Sequence, residues 1–294
     1  MILIGENINI MSKTLGPAIR ERDAKAIQEI AKKEAEAGMD YIDLNIGPAR
    51  KGGEETMEWI VKTVHEVVDL PLSLDTTNHL AIEAGLQAHK KGGKPIVNSV
   101  SLQKERIENT LPLVPKYGAI MIGLLWGREG MPRDTDERAA NCAELVMIAQ
   151  EAGVPLEDIW IDPIVTPVSV DINQVVSCLE FMSVLEEVAP GCKSVVGLSN
   201  VSNGTPRDLR PYLNRTYLAM LMKYGLHAAI VDAFDEELVM LARGKMPEIL
   251  ELVHRVMDGE EPDLSKLSEK EVQYVKTTKV LMGKVLYSHS WLEV

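Results

Sequence analysis

The stretch Pro71-Leu-Ser-Leu-Asp75-Thr-Thr-Asn78 joins a short apolar run to a polar end. The run is too short for a helix and is typical of a buried strand that delivers a carboxylate at its C-terminal tip. Other short apolar runs end in the same way, with Ile96-Val97 before Asn98, Ile159-Trp-Ile161 before Asp162, and Val195-Val-Gly-Leu198 before Ser199-Asn200. Polar side chains after successive strands are typical of a βα architecture whose site lies above the strand ends.

Eight such strands are predicted to alternate with helices. We place them at about residues 2–8, 40–46, 71–75, 94–99, 118–125, 159–165, 193–199 and 226–232. Most intervening segments carry apolar side chains at helical spacing, at 24–35, 54–68, 136–152, 172–188 and 207–223. This alternation predicts parallel strands in an α/β fold, a (β/α)8 TIM barrel over residues 1–257. Thr205 is expected to cap a helix, because Pro206 follows it at the first helical position and the acidic Asp208 at the third.

The character of the sequence changes after residue 257. Residues 258–294 begin with a polar, proline-bearing linker, and Ser268-Glu-Lys-Glu271 then predicts a capping box for a last amphipathic helix. An apolar side of that C-terminal helix is expected to run through Val272, Val275, Met282, Val285 and Leu286. That side is predicted to cover either the barrel wall or a second subunit.

Composition excludes several classes of function. The chain has 294 residues, 46% of them apolar, and a formal net charge of -13 without a long basic block. This balance argues against nucleic acid or an anionic membrane as the main partner. The apolar start is interrupted at Gly5-Glu6-Asn7, and neither a signal peptide nor a membrane span is expected. The three cysteines are widely spaced, which predicts neither disulfides nor a zinc site, and the expected location is the cytoplasm.

The predicted strand ends together form an acidic, amide-rich cluster with no Lys, Arg or His. Its members are Glu6, Asn7, Asn9, Asp43, Asn45, Asp75, Asn98, Asp162, Ser199, Asn200 and Asp232. Any one of them could serve only to cap a helix or to hydrogen-bond a loop. A buried polar group without a partner costs about 1–3 kcal/mol, so a whole cluster of such groups indicates a ligand. Glycine-rich phosphate loops are absent, which disfavours nucleotides. The remaining candidates are a heterocycle rich in N–H donors, favoured by the asparagines, and a hard metal ion on Asp43, Asp75 and Asp162.

Six ordered motifs resemble the pterin-binding barrel of the methyltetrahydrofolate:corrinoid methyltransferases. They are Gly5-Glu-Asn-Ile-Asn9, Asp43-Leu-Asn45-Ile-Gly47, Leu74-Asp75-Thr76, Val97-Asn98-Ser99, Ile161-Asp162-Pro163 and Gly197-Leu-Ser-Asn-Val-Ser-Asn203. The resemblance spans residues 1 to about 257. The same barrel serves as the folate module of cobalamin-dependent methionine synthase and, more distantly, occurs in dihydropteroate synthase.

The resemblance implies a role for each matched residue. Asp75, Asn98 and Asp162 are expected to bind the aminopyrimidinone edge of the pterin, with Gly197, Ser199 and Leu124 beside the ring. Asn200 is expected to be the catalytic residue that stabilises N5 as the methyl group moves. Glu6, Asp43 and Asn203 are expected to support the site, with Glu6 or Asp43 contributing to proton delivery. The resemblance implies no bound metal.

The other substrate implied by the resemblance is a corrinoid, which exchanges the methyl group with tetrahydrofolate. The corrinoid-binding signature Asp-x-His-x-x-Gly is matched only by Gln87-Ala-His89-Lys-Lys-Gly92, which lacks the aspartate, so His89 is expected to be a helix-end residue. The corrinoid is therefore expected on a partner protein, and the enzyme is expected to be a homodimer. The direction of transfer stays open.

Two alternative functions remain open, a dihydropteroate synthase and a non-catalytic pterin-binding module. A dihydropteroate synthase would share the pterin pocket, but the last predicted strand ends in Ile230-Val-Asp-Ala-Phe-Asp235, whose acids would repel a pterin diphosphate. A non-catalytic pterin-binding module would bind folate without transferring a methyl group.

Overall fold

Eight parallel strands close into a barrel in the computed structural model, which describes residues 1–293. Each strand pairs with the next in sequence, and the last pairs with the first. The strands are Ile2–Gly5 (β1), Tyr41–Gly47 (β2), Leu72–Thr76 (β3), Ile96–Val100 (β4), Ile120–Leu124 (β5), Ile159–Asp162 (β6), Lys193–Gly197 (β7) and Ala228–Val231 (β8). The predicted (β/α)8 barrel is confirmed. β6 ends before residue 165 because Pro163 has no N–H to donate to the sheet.

Helices surround the barrel in the alternating order expected from the sequence. They are Leu15–Glu21 (α1), Ala24–Glu36 (α2), Gly53–His65 (α3), His79–Ala88 (α4), Leu113–Tyr117 (α5), Thr135–Glu151 (α6), Ile172–Val188 (α7), Arg210–Met222 (α8), Glu236–Ala242 (α9), Pro247–Met257 (α10) and Glu269–Leu281 (α11). The β4–β5 connection contains a π-helical turn, Arg106–Thr110, before the short α5. His89 is the C-cap residue of α4, and its Nε2 accepts a hydrogen bond from the backbone N–H of Leu72, which agrees with a helix-end role.

Strand alternation explains why the barrel interior changes from apolar to polar along its axis. Ile4, Ile96, Ile120, Trp160, Val195 and Ala228 form part of a separate buried apolar cluster. Because side chains two positions apart share a face, the residues two places further on point to the same interior. Those positions include Glu6, Asn98 and Asp162, so the polar layer lies directly above the apolar one.

The predicted cap of α8 at Thr205 is wrong. The helix begins at Arg210, its N-cap position is Leu209 without a side-chain hydrogen bond, and Pro211 occupies the first turn. Residues 198–202 instead form a 3-10 turn after β7, which displaces the helix start toward the C-terminus. The Thr205 hydroxyl does not cap the helix. Its Oγ1 shares a hydrogen bond of 2.7 Å with the hydroxyl of Tyr287 in the C-terminal segment.

The C-terminal helix α11 packs on its own barrel, against α8 and α10. Ser268 forms the predicted capping box with Glu271. The predicted apolar side is wrong beyond the helix end, because α11 stops at Leu281 and Gly283 turns the chain with a φ of +70°. Val285 and Leu286 consequently lie past the helix and are 41% and 88% exposed. Among residues 1–293, no helix has both the length and the apolar content that a membrane crossing requires.

Candidate functional site

A cavity of about 200 Å3 lies at the C-terminal end of the barrel. It is lined by Glu6, Asn9, Asp43, Asn45, Asp75, Asn98, Asp162, Gly197, Ser199, Asn200 and Ile230. The residues predicted to bind a pterin and the predicted catalytic residue all lie on this one surface. Asn203 and Leu124 are not among the lining residues, and Ile230 supplies the apolar side chain that we expected from Leu124.

One wall of the cavity is a hydrogen-bonded row of side chains from β2, β3 and β4. Oδ1 of Asp43 accepts hydrogen bonds from Ser73 Oγ at 2.5 Å and from Asn98 Nδ2 at 3.3 Å. Asp75 Oδ2 accepts from the side-chain amide of Asn45. These bonds use one oxygen of each carboxylate, so the other oxygen of Asp75 and the amide oxygen of Asn98 are left to accept hydrogen bonds from a ligand.

The opposite wall carries Asp162 at the end of β6. Its Oδ1 accepts the backbone N–H of Ile164 at 2.8 Å, which fixes the carboxylate in a turn where Ile164 has a φ of +68°. Arg138, fully buried on α6, supports this turn by donating from Nε to the carbonyl oxygen of Pro163 at 2.8 Å. These contacts fix the orientation of the Asp162 carboxylate, whose second oxygen is left to accept a hydrogen bond from a ligand.

The loop after β7, residues 198–209, contains Asn200. Oδ1 of Asn200 accepts a hydrogen bond of 3.2 Å from Nδ2 of Asn203, whose own Oδ1 accepts from Arg210 Nη2 at 3.2 Å. The backbone carbonyl of Asn203 accepts from Ser169 Oγ at 2.8 Å. The amide plane of Asn200 is therefore oriented by Asn203, which gives that residue a supporting place outside the cavity lining.

Glu6 enters the cavity from the segment after β1. Its Oε1 accepts a hydrogen bond of 2.6 Å from Ser199 Oγ, which connects the first and seventh strand ends. The neighbouring Asn7 donates from Nδ2 to Asp232 at 2.8 Å and from its backbone N–H to Glu34 Oε1 at 2.9 Å. The segment after β1 thus brings Glu6 to the cavity and ties Asp232 and Glu34 to the adjacent Asn7.

Glu34 was not predicted. It lies on α2, is fully buried against Gly5 of β1, and its Oε2 has no hydrogen-bond partner among the described residues. The sequence did carry a signal, because Ile27, Ala31 and Glu34 follow helical spacing and place a carboxylic acid in the apolar stripe of the helix.

Burial determines the protonation of the acids. It raises the pKa of Glu6 to about 7 and that of Glu34 to about 8. It also raises the pKa values of Asp43 and Asp162 to about 6. The pKa of Asp75 is raised well above its usual value, first by burial and then by the charge of Asp43. A ligand that donates N–H groups to these carboxyls would favour their ionised form and so lower their pKa values.

Among residues 1–293, Arg106 and Arg210 bring positive charge near the cavity from helical segments that follow the strands. Arg106 donates from Nη1 to the carbonyl oxygen of Thr77 at 2.9 Å, and its charge acts to lower the pKa of Asp75. Arg210 bonds the loop after β7 through Ser202 and Asn203. Within residues 1–293, no group of three or more His, Cys, Asp or Glu side chains is arranged to hold a metal ion.

The chain belongs to the pterin-binding enzyme family, whose model matches residues 9–232. The resemblance inferred from the six motifs is thereby confirmed. The chain is 27% identical over 241 residues to the methylcorrinoid:tetrahydrofolate methyltransferase of Eubacterium limosum, covering 81% of this chain and 88% of that protein. It is also 27% identical over 284 residues to the methionine synthase of Mycobacterium leprae, covering 91% of this chain but 23% of that much longer protein.

Solved structures show the same fold. Dihydropteroate synthase from Thermus thermophilus superimposes with a TM-score of 0.61 at 20% identity, over 84% of this chain and 93% of that one. The enzyme from Xanthomonas albilineans gives 0.62 at 17% identity with the same coverage. At these identities the likeness establishes the barrel architecture alone.

Proposed function

We propose that this protein is an enzyme that transfers a methyl group between N5 of tetrahydrofolate and the cobalt of a corrinoid carried by a partner protein. The observation that carries the proposal is the meeting of Asp75, Asn98, Asp162 and Asn200 around one cavity. The similarity to a protein named for methylcorrinoid and tetrahydrofolate supports the same activity.

The cavity suits the pterin ring by its chemistry. Asp75 and Asp162 provide carboxylate acceptors, and Asn98 provides an amide oxygen, which match the ring N–H and amino group of an aminopyrimidinone edge. Two charge-assisted hydrogen bonds contribute about 3–6 kcal/mol, while micromolar affinity needs about 8 kcal/mol, so ring burial against Gly197 and Ile230 must supply the rest. The volume of about 200 Å3 is below the roughly 300–1,000 Å3 of typical ligand pockets, which fits a ring with the remainder of folate outside.

Asn200 is the proposed catalytic residue. The N5 amine leaves the methyl group poorly unless N5 gains a proton as the carbon–nitrogen bond breaks. An amide does not supply that proton, but it can hydrogen-bond N5 more strongly as charge develops, which lowers the barrier without tightening substrate binding. The hydrogen bond from Asn203 sets the orientation of the amide for this contact.

Glu6 is the better placed of the two acids that we expected to contribute to proton delivery. It lines the cavity, is joined to Ser199 at 2.6 Å, and burial raises its pKa to about 7, so the carboxyl group gains and loses a proton near neutral pH. Asp43 is tied to Ser73 and Asn98 and serves to orient the pterin wall.

A corrinoid, when docked, supplies a cobalt centre that can accept or donate a methyl group. The residues of this chain bind and orient the folate at the open end of the barrel, where a large partner can reach N5. A homodimeric assembly and a cytoplasmic location stay predictions, and sedimentation of the purified protein measures the first.

The test is a spectroscopic assay of cob(I)alamin and methylcobalamin, run with 5-methyltetrahydrofolate and, in reverse, with tetrahydrofolate. We expect enzyme-dependent interconversion of the two cobalamin spectra in at least one direction. Folate binding without any spectral change would instead favour a non-catalytic pterin module. Tight binding of a pterin diphosphate in calorimetry would favour a dihydropteroate synthase.

A further inference from the structure

Residues 283–293, which we call the strap, follow α11 and lie outside the segment that matches the family. Gly283 turns the chain beside Ile172 and Val176 at the start of α7. Helix starts in this barrel follow the strand ends, so the turn brings the strap toward the face that carries the cavity.

The strap is fastened at its far end. Trp291 is 2% exposed, and its Nε1 donates to Thr277 Oγ1 at 3.0 Å. The backbone carbonyl of Leu292 accepts from Lys276 Nζ at 2.7 Å. The ring of Tyr287 lies 5.7 Å from that of Trp291, centroid to centroid. Tyr287 is thus supported by a buried anchor on α11.

The hydroxyl of Tyr287 reaches the loop that carries Asn200. It shares a hydrogen bond of 2.7 Å with Oγ1 of Thr205, a residue only 8% exposed. From Thr205 the backbone connects to Asn200 by two steps, Thr205 N–H to Ser202 O and Asn203 N–H to Asn200 O, both at 3.1 Å. Asn203, within the same turn, is the side chain that orients the Asn200 amide.

We infer that the strap is a positioning element for Asn200, which fixes the loop of residues 198–209 through the contact between Tyr287 and Thr205. This inference rests on the proposed function for its catalytic consequence but not for its structural one. A neutral hydrogen bond corresponds to about a twofold to tenfold change in an equilibrium, so losing it frees the loop without unfolding the barrel. Methyl transfer slows, and binding of the pterin on the other walls is retained.

The experiment compares Tyr287→Phe and Thr205→Val, which keep ring and side-chain packing, with the double variant and with Leu286→Ala. Leu286 lies on the same strap and is 88% exposed, so its variant is the matched control. Amide hydrogen exchange, measured without folate, is expected to be faster over residues 202–209 in both single variants than in the wild-type protein. The double variant is expected to exchange at the same rate as the single variants, because all three lack the same hydrogen bond. Leu286→Ala is expected to exchange like the wild-type protein.

Turnover is measured on the same proteins. We expect kcat to fall about twofold to tenfold in Tyr287→Phe, the range of one neutral hydrogen bond, with the folate Kd within about twofold of wild type. Unchanged exchange over residues 202–209 would overturn the inference whatever the protein catalyses. Faster exchange with unchanged kcat would overturn the positioning of Asn200. A wild-type protein that transfers no methyl group would instead refute the proposed function, and the exchange result alone would then decide whether the strap holds the loop.

Discussion

Asn98 donates a hydrogen bond of 3.3 Å from Nδ2 to Oδ1 of Asp43. This bond fixes which end of the Asn98 amide faces the ligand, because an amide that spends its N–H on Asp43 presents its oxygen to the cavity. Ser73 holds the same carboxylate oxygen from below. The wall therefore offers acceptors from Asp75 and Asn98 side by side, the arrangement that an N–H-rich ring edge requires.

Replacing Asp75 by Ala is expected to weaken folate binding by about tenfold to a hundredfold, since a hydrogen bond to a charged group is worth about 1.5–3 kcal/mol. Calorimetric titration with tetrahydrofolate measures the loss. Asp136→Ala, on the exposed first turn of α6, is the matched control and should bind like wild type. Equal affinities in the two variants would remove Asp75 from the site.

Replacing Asn200 by Ala is expected to lower kcat by about tenfold to a hundredfold and to change the folate Kd by less than about threefold. The reason is that the amide is assigned to stabilising N5 during transfer and not to holding the ring. Single-turnover cobalamin spectroscopy, together with equilibrium titration, separates the two effects. Asn173→Ala, exposed on α7, serves as the control, and an unchanged kcat in Asn200→Ala would contradict the assignment.

Transfer from 5-methyltetrahydrofolate is expected to slow as pH rises through about 7, because burial raises the pKa of Glu6 to about 7 and only the protonated acid can contribute a proton. Asp232 and Asp43 raise this pKa further, while Ser199 and Arg210 lower it. Glu6→Gln should remove this limb of the pH–rate profile and leave a lower, flatter one. A limb that persists unchanged in Glu6→Gln would assign the titration to another group.

Glu34 is expected to make the free energy of unfolding fall with rising pH. Burial raises the pKa of this group from 4.5 to about 8, so between those values the folded protein keeps a proton that the unfolded chain loses. At about 1.4 kcal/mol per pKa unit, the loss is on the order of 4 kcal/mol by pH 8.

Glu34→Gln, which resembles the protonated acid, should therefore match wild type near pH 5 and exceed its stability at pH 8. Urea denaturation at the two pH values measures the difference. Glu36→Gln, exposed on the same helix, should show no such divergence. A Glu34→Gln protein less stable than wild type at pH 8 would show that the ionised carboxylate is itself stabilising.

The strand-end residues were predictable because two simple sequence patterns determine their positions. Short apolar runs define the strands, and the alternation of side chains then puts Glu6, Asn98 and Asp162 above the apolar layer. Helical spacing places Glu34 in the apolar stripe of α2, but spacing alone does not distinguish a buried acid from a solvated one, so Glu34 escaped prediction. Arg106 and Arg210 escaped because they come from helical segments after the strands and not from the strand ends.

The C-terminal segment shows a different limit of sequence reasoning. The capping box at Ser268 is local and was predicted correctly. The contact between Tyr287 and Thr205 joins residues 82 positions apart and depends on how α11 docks against α8. Nothing in the local pattern of either segment encodes that docking, and the local pattern at Thr205 predicts a helix cap that does not form.

The most direct measurement of the central claim is a crystal structure of the protein with 5-methyltetrahydrofolate. We expect the pterin ring in the cavity at the C-terminal end of the barrel, its N–H edge on Asp75, Asn98 and Asp162, and N5 within hydrogen-bonding distance of the Asn200 side chain. A ring bound elsewhere, or with N5 turned away from Asn200, would contradict the account.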